Sequence, residues 1–155
     1  MKAAKENLSF ELENLAMAKD ALQYSFQKCQ KIKLHEGLSN EELEGFEALT
    51  SRFARLSDII IQKIFRLLDF IDLEDTGTVR DRINRAEKKG VILSANSFLE
   101  IRILRNEIAH EYRSETTYAI FEKVLVYSPT LLESVDTIKD YAQKYFVGST
   151  KGFVR

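Results

Sequence analysis

Apolar residues recur at steps of three and four almost throughout this 155-residue chain, which is the period of an α-helix. Only one proline and six glycines interrupt the pattern, whereas turn-rich all-β architectures need far more chain punctuation. The length fits a single domain. We therefore predict an all-α fold over residues 1–147, an up-and-down antiparallel bundle of four to five helices, with residues 148–155 as a flexible C-terminal tail.

The clearest helix start lies near residue 40. Ser39 precedes Glu42 by three positions, which is the spacing of a capping box that satisfies free amide donors. From there an apolar stripe continues to Ile71 and predicts a long second helix. The same periodicity predicts a first helix over 5–34 and a short third helix over 78–89.

The second half of the chain predicts two further helices. Asn96 or Ser97 starts a fourth helix, because Ser97 and Glu100 form another capping-box pattern, and this helix runs to about Tyr112. A fifth helix follows. Pro129 either kinks it or restarts it, since proline suits a first helical turn and not a helix interior.

Cysteine, histidine and hydropathy exclude several classes of protein. The single cysteine, Cys29, rules out an intrachain disulfide and a cysteine zinc site, and two histidines are too few for a histidine-rich metal cage. We expect neither metal nor cofactor. The first twenty residues hold no continuous apolar segment, and no apolar run approaches the ~20 residues of a membrane span. A cytoplasmic location without membrane contact is expected.

Charge is distributed unevenly, although the whole chain carries only −1. Residues 36–76 have a balance of −6, and residues 78–113 have a balance of +3. The basic residues of the second stretch are Arg80, Arg82, Arg85, Lys88, Lys89, Arg102, Arg105 and Arg113. They form either an ordinary solvated surface or a positive face beside the fourth helix that attracts a phosphate backbone.

The predicted fourth helix has two apolar faces. One carries Ile101, Leu104 and Ile108, and the other carries Leu99, Ile103, Asn106 and His110. A helix that is apolar on two sides is buried on two sides, either inside one chain or against a second copy. Because an amide and an imidazole fill a small core poorly, we expect a homodimer interface that includes Leu99 and Ile103.

His110 is the candidate for proton transfer. A lone helical histidine is more often a surface or hydrogen-bonded residue, but Asn106 lies one turn earlier on the same face and can orient it. Arg105 adds a permanent cation nearby, and its planar fork suits phosphate. Histidine exchanges protons near neutral pH, so the three side chains suit metal-independent phosphodiester chemistry better than acyl transfer.

The segment from Arg105 to Tyr112, RNEIAHEY, resembles the Arg-x4-His-x-Tyr motif of HEPN domains. It is most similar to the HepT-like group, the small helical partners of minimal nucleotidyltransferases. The preceding stretch, VRDRINRAEKKGVILSANSFLEI, resembles the short helix, glycine break and motif helix of the family, and SPTLLESV resembles the start of its last helix. The resemblance covers roughly residues 8–146.

The resemblance implies a HEPN-like bundle that dimerises through its motif helices, so that two motifs face one cleft. In family members with ribonuclease activity, the motif cleaves RNA without metal. This assigns proton transfer to His110, phosphate binding to Arg105, and positioning of the imidazole or the substrate to Asn106. Tyr112 matches a tyrosine that some nucleotidyltransferase antitoxins modify with adenylate, or else it closes the edge of the core.

Three functions remain open from the sequence. The first is an endoribonuclease toxin restrained by a minimal nucleotidyltransferase antitoxin, with Arg102 and Arg113 as further candidates for RNA contact. The second is a non-catalytic, substrate-binding subunit that completes a minimal nucleotidyltransferase. The third is a plain helical interaction module. The complete motif favours the first, and the acidic stretch keeps the second open.

Overall fold

A computed structural model describes residues 1–110 and 114–146, and within them the chain forms five helices and no β-strand. This confirms the predicted all-α bundle. The helices are α1 (Lys2–Cys29), α2 (residues 40–71), α3 (Val79–Lys89), α4 (Ala95–Ala109) and α5 (Ser114–Ala142), and a 3₁₀ turn at Gln143–Tyr145 follows. None of the helices in these ranges is both long and apolar enough to cross a membrane.

The helix α2 is continuous but not uniform. It consists of α-helix over Asn40–Asp58, a π-helical turn over Ile59–Ile64, and α-helix over Phe65–Ile71. In the π turn the amide of Phe65 donates to the carbonyl of Ile60, five residues back. The wider turn lets three successive isoleucines enter the core, all of them at most 5% exposed. Apolar periodicity predicts the helix but not this change of pitch.

The capping box at the start of α2 is confirmed. The Ser39 hydroxyl accepts a hydrogen bond from the Glu42 amide at 3.1 Å, and the Glu42 carboxylate accepts one from the Ser39 amide at 2.9 Å. Beyond the end of α1, His35 lies exposed in the connecting loop, where its Nδ1 accepts a hydrogen bond from Gly37 at 2.9 Å. This agrees with its interpretation as a loop residue.

The start predicted for α4 at Asn96 or Ser97 is wrong. Ser94 is the N-cap, and its hydroxyl accepts a hydrogen bond from the Ser97 amide at 3.1 Å. The Ala95 amide donates to the carboxylate of Glu87, which lies on α3, at 2.7 Å. A carboxylate from another helix therefore satisfies a free amide at this end, which a local sequence pattern does not reveal.

Two predicted helix ends also differ from the structure. The helix α1 stops at Cys29 rather than near residue 34. The prediction ran too far because Ile32 and Leu34 pack against the core from the loop and so continue the apolar pattern past the helix. The helix α4 stops at Ala109, with His110 as its C-cap. The predicted end at Tyr112 and the predicted tail at 148–155 lie outside the described residues.

Pro129 does not restart α5, which runs unbroken from Ser114 to Ala142. The residue before the proline is buried, and the Ser128 hydroxyl donates to the carbonyl of Val124 at 2.6 Å. Pro129 itself is exposed, and it has no N–H to donate to the carbonyl of Leu125, four residues earlier.

The helices pack antiparallel around one aliphatic and aromatic core. Phe121 of α5 stacks on Phe46 of α2 with ring centroids 5.1 Å apart. The largest fully buried side chains include Phe46, Phe53, Phe98, Leu8, Leu15 and Leu22. The α4 and α5 helices run side by side, and Lys123 pairs with Glu107 at 3.3 Å. This arrangement holds α4 against α2 on one side and α5 on another.

A polar cluster connects the C-terminal end of α2 to its neighbouring helices. Buried Asp69 pairs with Lys89 at 3.0 Å. Asp72 accepts hydrogen bonds from Lys89 at 2.7 Å and from the hydroxyls of Tyr141 and Tyr145. Burial acts to raise the pKa of the Asp72 carboxyl, but these hydrogen bonds outweigh it and hold the pKa below its ordinary value. The cluster thus ties the end of α2 to α3 and α5.

The end of α2 adopts a Schellman motif with an unusual residue at its left-handed position. The Leu73 amide donates to the backbone carbonyl of Phe70 at 3.1 Å, and the Glu74 amide donates to the backbone carbonyl of Asp69 at 2.7 Å. Leu73 has φ 63° and is 83% exposed. Gly90 closes α3 with the same pattern at φ 83°. Glycine takes this conformation without strain and leucine does not.

Candidate functional site

Arg105 projects from α4 toward α2 and forms a two-point ion pair with Asp58. Its Nε lies 2.9 Å from Oδ1 of the carboxylate, and its Nη2 lies 3.0 Å from Oδ2. The hydrogen bonds that the guanidinium donates to Asp58 raise the pKa of Arg105 above its usual range, although partial burial acts in the opposite direction. The arginine is therefore charged and held in one orientation.

Sequence reasoning missed Asp58. It precedes the isoleucines of the π turn and reads as an ordinary boundary of an apolar run. It lies 47 positions from Arg105, and no spacing pattern connects residues on two different helices at that distance. An acidic residue at the edge of the core-facing stripe of α2 was the only available signal.

Two clefts open on either side of the Arg105 side chain. The larger has a volume of about 560 Å³ and lies between α2, α4 and α5, with Thr50, Ser51 and Thr117 among its polar lining. The smaller has a volume of about 380 Å³ and also contains Asp58. The ion pair uses only Nε and Nη2. Among the described residues no group bonds to Nη1, so that edge of the guanidinium is available for a ligand.

Asn106 and His110 lie on a different side of α4 from Arg105. Both are exposed, and neither side chain has a hydrogen-bond partner within the part of the chain that the structure describes. His110 caps the helix through its backbone amide, which donates to the backbone carbonyl of Glu107 at 3.1 Å. It is absent from the lining of both clefts beside Arg105. Among the described residues, neither of these two clefts is therefore lined by both the arginine and the imidazole.

The second apolar face of α4 is open to solvent in the single chain. Ile103 is 51% exposed, whereas Leu99 is half-buried against the core, so the described residues cover this face only in part. Val126 of α5 is 64% exposed and lies one turn beyond Lys123, whose ion pair with Glu107 fixes the register of the two helices. We call Leu99, Ile103 and Val126 the α4/α5 patch.

Val126 was not expected from the sequence. It belongs to the predicted fifth helix, whose apolar residues read as a single core stripe. Only the packing of α5 beside α4 reveals that this valine extends the exposed face of the neighbouring helix.

Four of the eight basic side chains of residues 78–113 form ion pairs in the described part of the chain. Arg85 pairs with Asp69 at 3.2 Å, Arg82 approaches Asp75 at 3.9 Å, and Lys89 and Arg105 pair as described above. Arg102 is half-buried and, within residues 1–110 and 114–146, forms no ion pair. Arg80 and Lys88 are exposed and also form no ion pair among these residues, so pairing reduces the predicted positive charge without removing it.

Arg113 and Tyr112 lie outside the described residues. In the described ranges, no three His, Cys, Asp or Glu side chains lie together as a possible metal site. The chain matches no protein-family model and no curated protein. The candidate site thus rests on the geometry of α4 and its neighbours.

Proposed function

We propose that this protein is a HEPN-type, metal-independent endoribonuclease toxin, paired in the cytoplasm with a minimal nucleotidyltransferase antitoxin. The observation that carries the proposal is the arrangement of the motif on α4. Arg105 is fixed by Asp58 with one edge free beside a cleft, while Asn106 and His110 are presented to solvent on the adjoining face.

The proposed reaction is transesterification within RNA. The free edge of Arg105 binds the scissile phosphate in two places. His110 takes the proton of the ribose 2′-hydroxyl, and the 2′-oxygen forms a bond to phosphorus. The bond from phosphorus to the 5′-oxygen of the next nucleotide breaks, and that oxygen is protonated by the partner subunit's His110. The products are a 2′,3′-cyclic phosphate and a 5′-hydroxyl.

The homodimer is part of this proposal. One imidazole does not easily act as base and acid in the same step, whereas two do. The α4/α5 patch is a continuation of the face that carries Asn106 and His110, so pairing of two patches would bring two copies of the motif toward each other. Asn106 would then position the imidazole or the RNA, and adenylation of Tyr112 would add negative charge beside the phosphate site.

A non-catalytic, substrate-binding subunit of a minimal nucleotidyltransferase is the second candidate. The observation that favours it is the same ion pair. Asp58 compensates the charge of Arg105, and Glu47 and Glu11 line the two clefts beside it. Such a neighbourhood attracts an RNA backbone weakly, since affinity for RNA depends on net positive charge.

The test compares wild type with Arg105→Ala and His110→Ala in a bacterial host, with growth and total-RNA integrity followed together. The matched controls are His35→Ala, which changes the only other histidine, and Arg66→Ala, which removes an exposed arginine of α2. We expect wild type and both controls to stop growth and fragment RNA, and the two motif variants to do neither. Five harmless proteins with intact RNA would favour the binding subunit.

Purified protein gives the second half of the test. We expect cleavage of RNA to persist in EDTA and to leave cyclic phosphate ends. Activity that disappears on chelation and returns with Mg²⁺ would contradict the proposed chemistry.

A further inference from the structure

The outward side of α1 carries an apolar row that the core does not use. Phe10, Met17 and Tyr24 are 61%, 63% and 64% exposed, and Ala3 continues the row at the same spacing of seven. A spacing of seven keeps side chains on one side of a helix, drifting by only about 20° per step. From Phe10 to Tyr24 the row is roughly 21 Å long.

An acidic row follows the apolar row in the same register. Glu6, Glu13 and Asp20 each lie three residues after a member of the apolar row, all three are exposed, and none has an ion pair within the described residues. Residues three apart on a helix are neighbours, so the carboxylates border the apolar row along one side. A repeat of apolar and charged positions at seven-residue spacing is how helices select partner helices.

The two ends of the row differ. The Arg52 guanidinium of α2 lies 5.9 Å from the centre of the Tyr24 ring and donates to the Ser25 hydroxyl at 2.8 Å. A cation therefore borders the row at its Tyr24 end. The acidic border is strongest around Phe10 and Met17.

We propose that this side of α1 is a docking surface for a basic amphipathic helix of another protein. The apolar row would bury against the partner's apolar residues, and the partner's lysines or arginines would face Glu6, Glu13 and Asp20. A second copy of this chain fits poorly. Pairing α1 with itself would set the acidic row against another acidic row or against the opposite flank of Asn7, Asn14, Ala21 and Lys28, which offers one positive charge to three carboxylates.

The test uses a synthetic helical peptide of about three heptads, with leucine at the first and fourth positions of each heptad and lysine beside them. A counterpart peptide carries glutamate in place of lysine. The chain has no tryptophan, so one tryptophan in the peptide reports binding by fluorescence without background. We expect the lysine peptide to bind with a Kd on the order of 10 μM that weakens with salt, and the glutamate peptide to bind at least roughly tenfold more weakly.

Two variants and a control locate the surface. Met17→Glu should weaken binding of the lysine peptide roughly tenfold or more, and Gln23→Glu, which adds the same charge elsewhere on exposed α1, should not. The double variant Glu13→Lys and Asp20→Lys should reverse the preference between the peptides.

Equal binding of the two peptides, or no response to Met17→Glu, would overturn the proposal. Self-association of the free protein that Met17→Glu abolishes would instead assign the surface to a second copy. Binding is measured without RNA, so the result is independent of the proposed ribonuclease activity.

Discussion

Arg105 of α4 and Asp58 of α2 meet through two nearly equal hydrogen bonds of 2.9 and 3.0 Å. Their side chains are 29% and 42% exposed, so water screens the pair and its contribution to stability is modest, about 0.2–1 kcal/mol. The consequence of the pair is geometric. It fixes the plane of the guanidinium and decides which edge faces the larger cleft.

Asp58 should therefore act on activity more than on folding. We expect Asp58→Asn to lower kcat for RNA cleavage roughly tenfold, with a smaller effect on KM, because the arginine fork is no longer held in position. Urea unfolding should shift by less than about 1 kcal/mol. A gain in activity would contradict the positioning role and would mean that Asp58 competes with phosphate for Arg105. Asp136→Asn, in an exposed pair with Lys19, is the matched control.

The α4/α5 patch should determine the oligomeric state. We expect light scattering to give a dimer for wild type and a monomer for Ile103→Asp and Val126→Asp, since each places a charge on an apolar interface. Both positions are exposed in the single chain, so the helical circular dichroism should be unchanged. Gln23→Asp is the control. A monomeric wild type would disprove the dimer.

The two Schellman motifs allow a comparison of leucine and glycine in the same conformation. We expect Leu73→Gly to stabilise the protein by about 1 kcal/mol, because it removes the strain of a left-handed leucine and loses little burial. Gly90→Ala should destabilise it by a similar amount. Chemical denaturation of the two variants measures both values. Destabilisation by Leu73→Gly would show that the leucine makes a compensating contact.

The polar cluster at Asp72 should make stability depend on pH in acid. The pKa of its carboxyl is lowered in the folded chain, so its contribution is complete above the ordinary value of about 4 and is lost as the pH falls through the lowered pKa. We expect Asp72→Asn to cost about 1–3 kcal/mol at neutral pH and progressively less below about pH 4. Urea unfolding over this range gives the difference. A cost that does not change with pH would mean that the charge of Asp72 is unimportant.

Local patterns predicted the local features of this fold well. The apolar period predicted all five helices, and the spacing of Ser39 and Glu42 predicted a cap, because both depend on residues within a turn of each other. The end of α1 was misjudged because Ile32 and Leu34 continue the apolar pattern from a loop. The apolar period reports which residues are buried, and residues in a loop beyond a helix end can be buried as well.

The site was only partly predictable for a related reason. The pattern of Arg105, Asn106 and His110 could be read from one helix, but their surroundings depend on other helices. The ion pair of Arg105 with Asp58, and the pair of Lys123 with Glu107 that joins the helices of Val126 and Ile103, arise from packing between distant segments. No single-sequence pattern carries that information.

The π turn of α2 separates the two polar ends of the molecule. Such a turn holds about one residue more than an α-helical turn, so it shifts the phase of everything that follows it. If the same residues took the ordinary α-helical pitch throughout, the C-terminal part of α2 would be rotated by about 100° relative to Asp58. Asp69 and Asp72 would then turn away from Lys89, whereas Asp58 would keep its place opposite Arg105. The extra residue of the π turn thus sets the rotation of the polar cluster at Asp69 and Asp72 relative to the cleft beside Arg105.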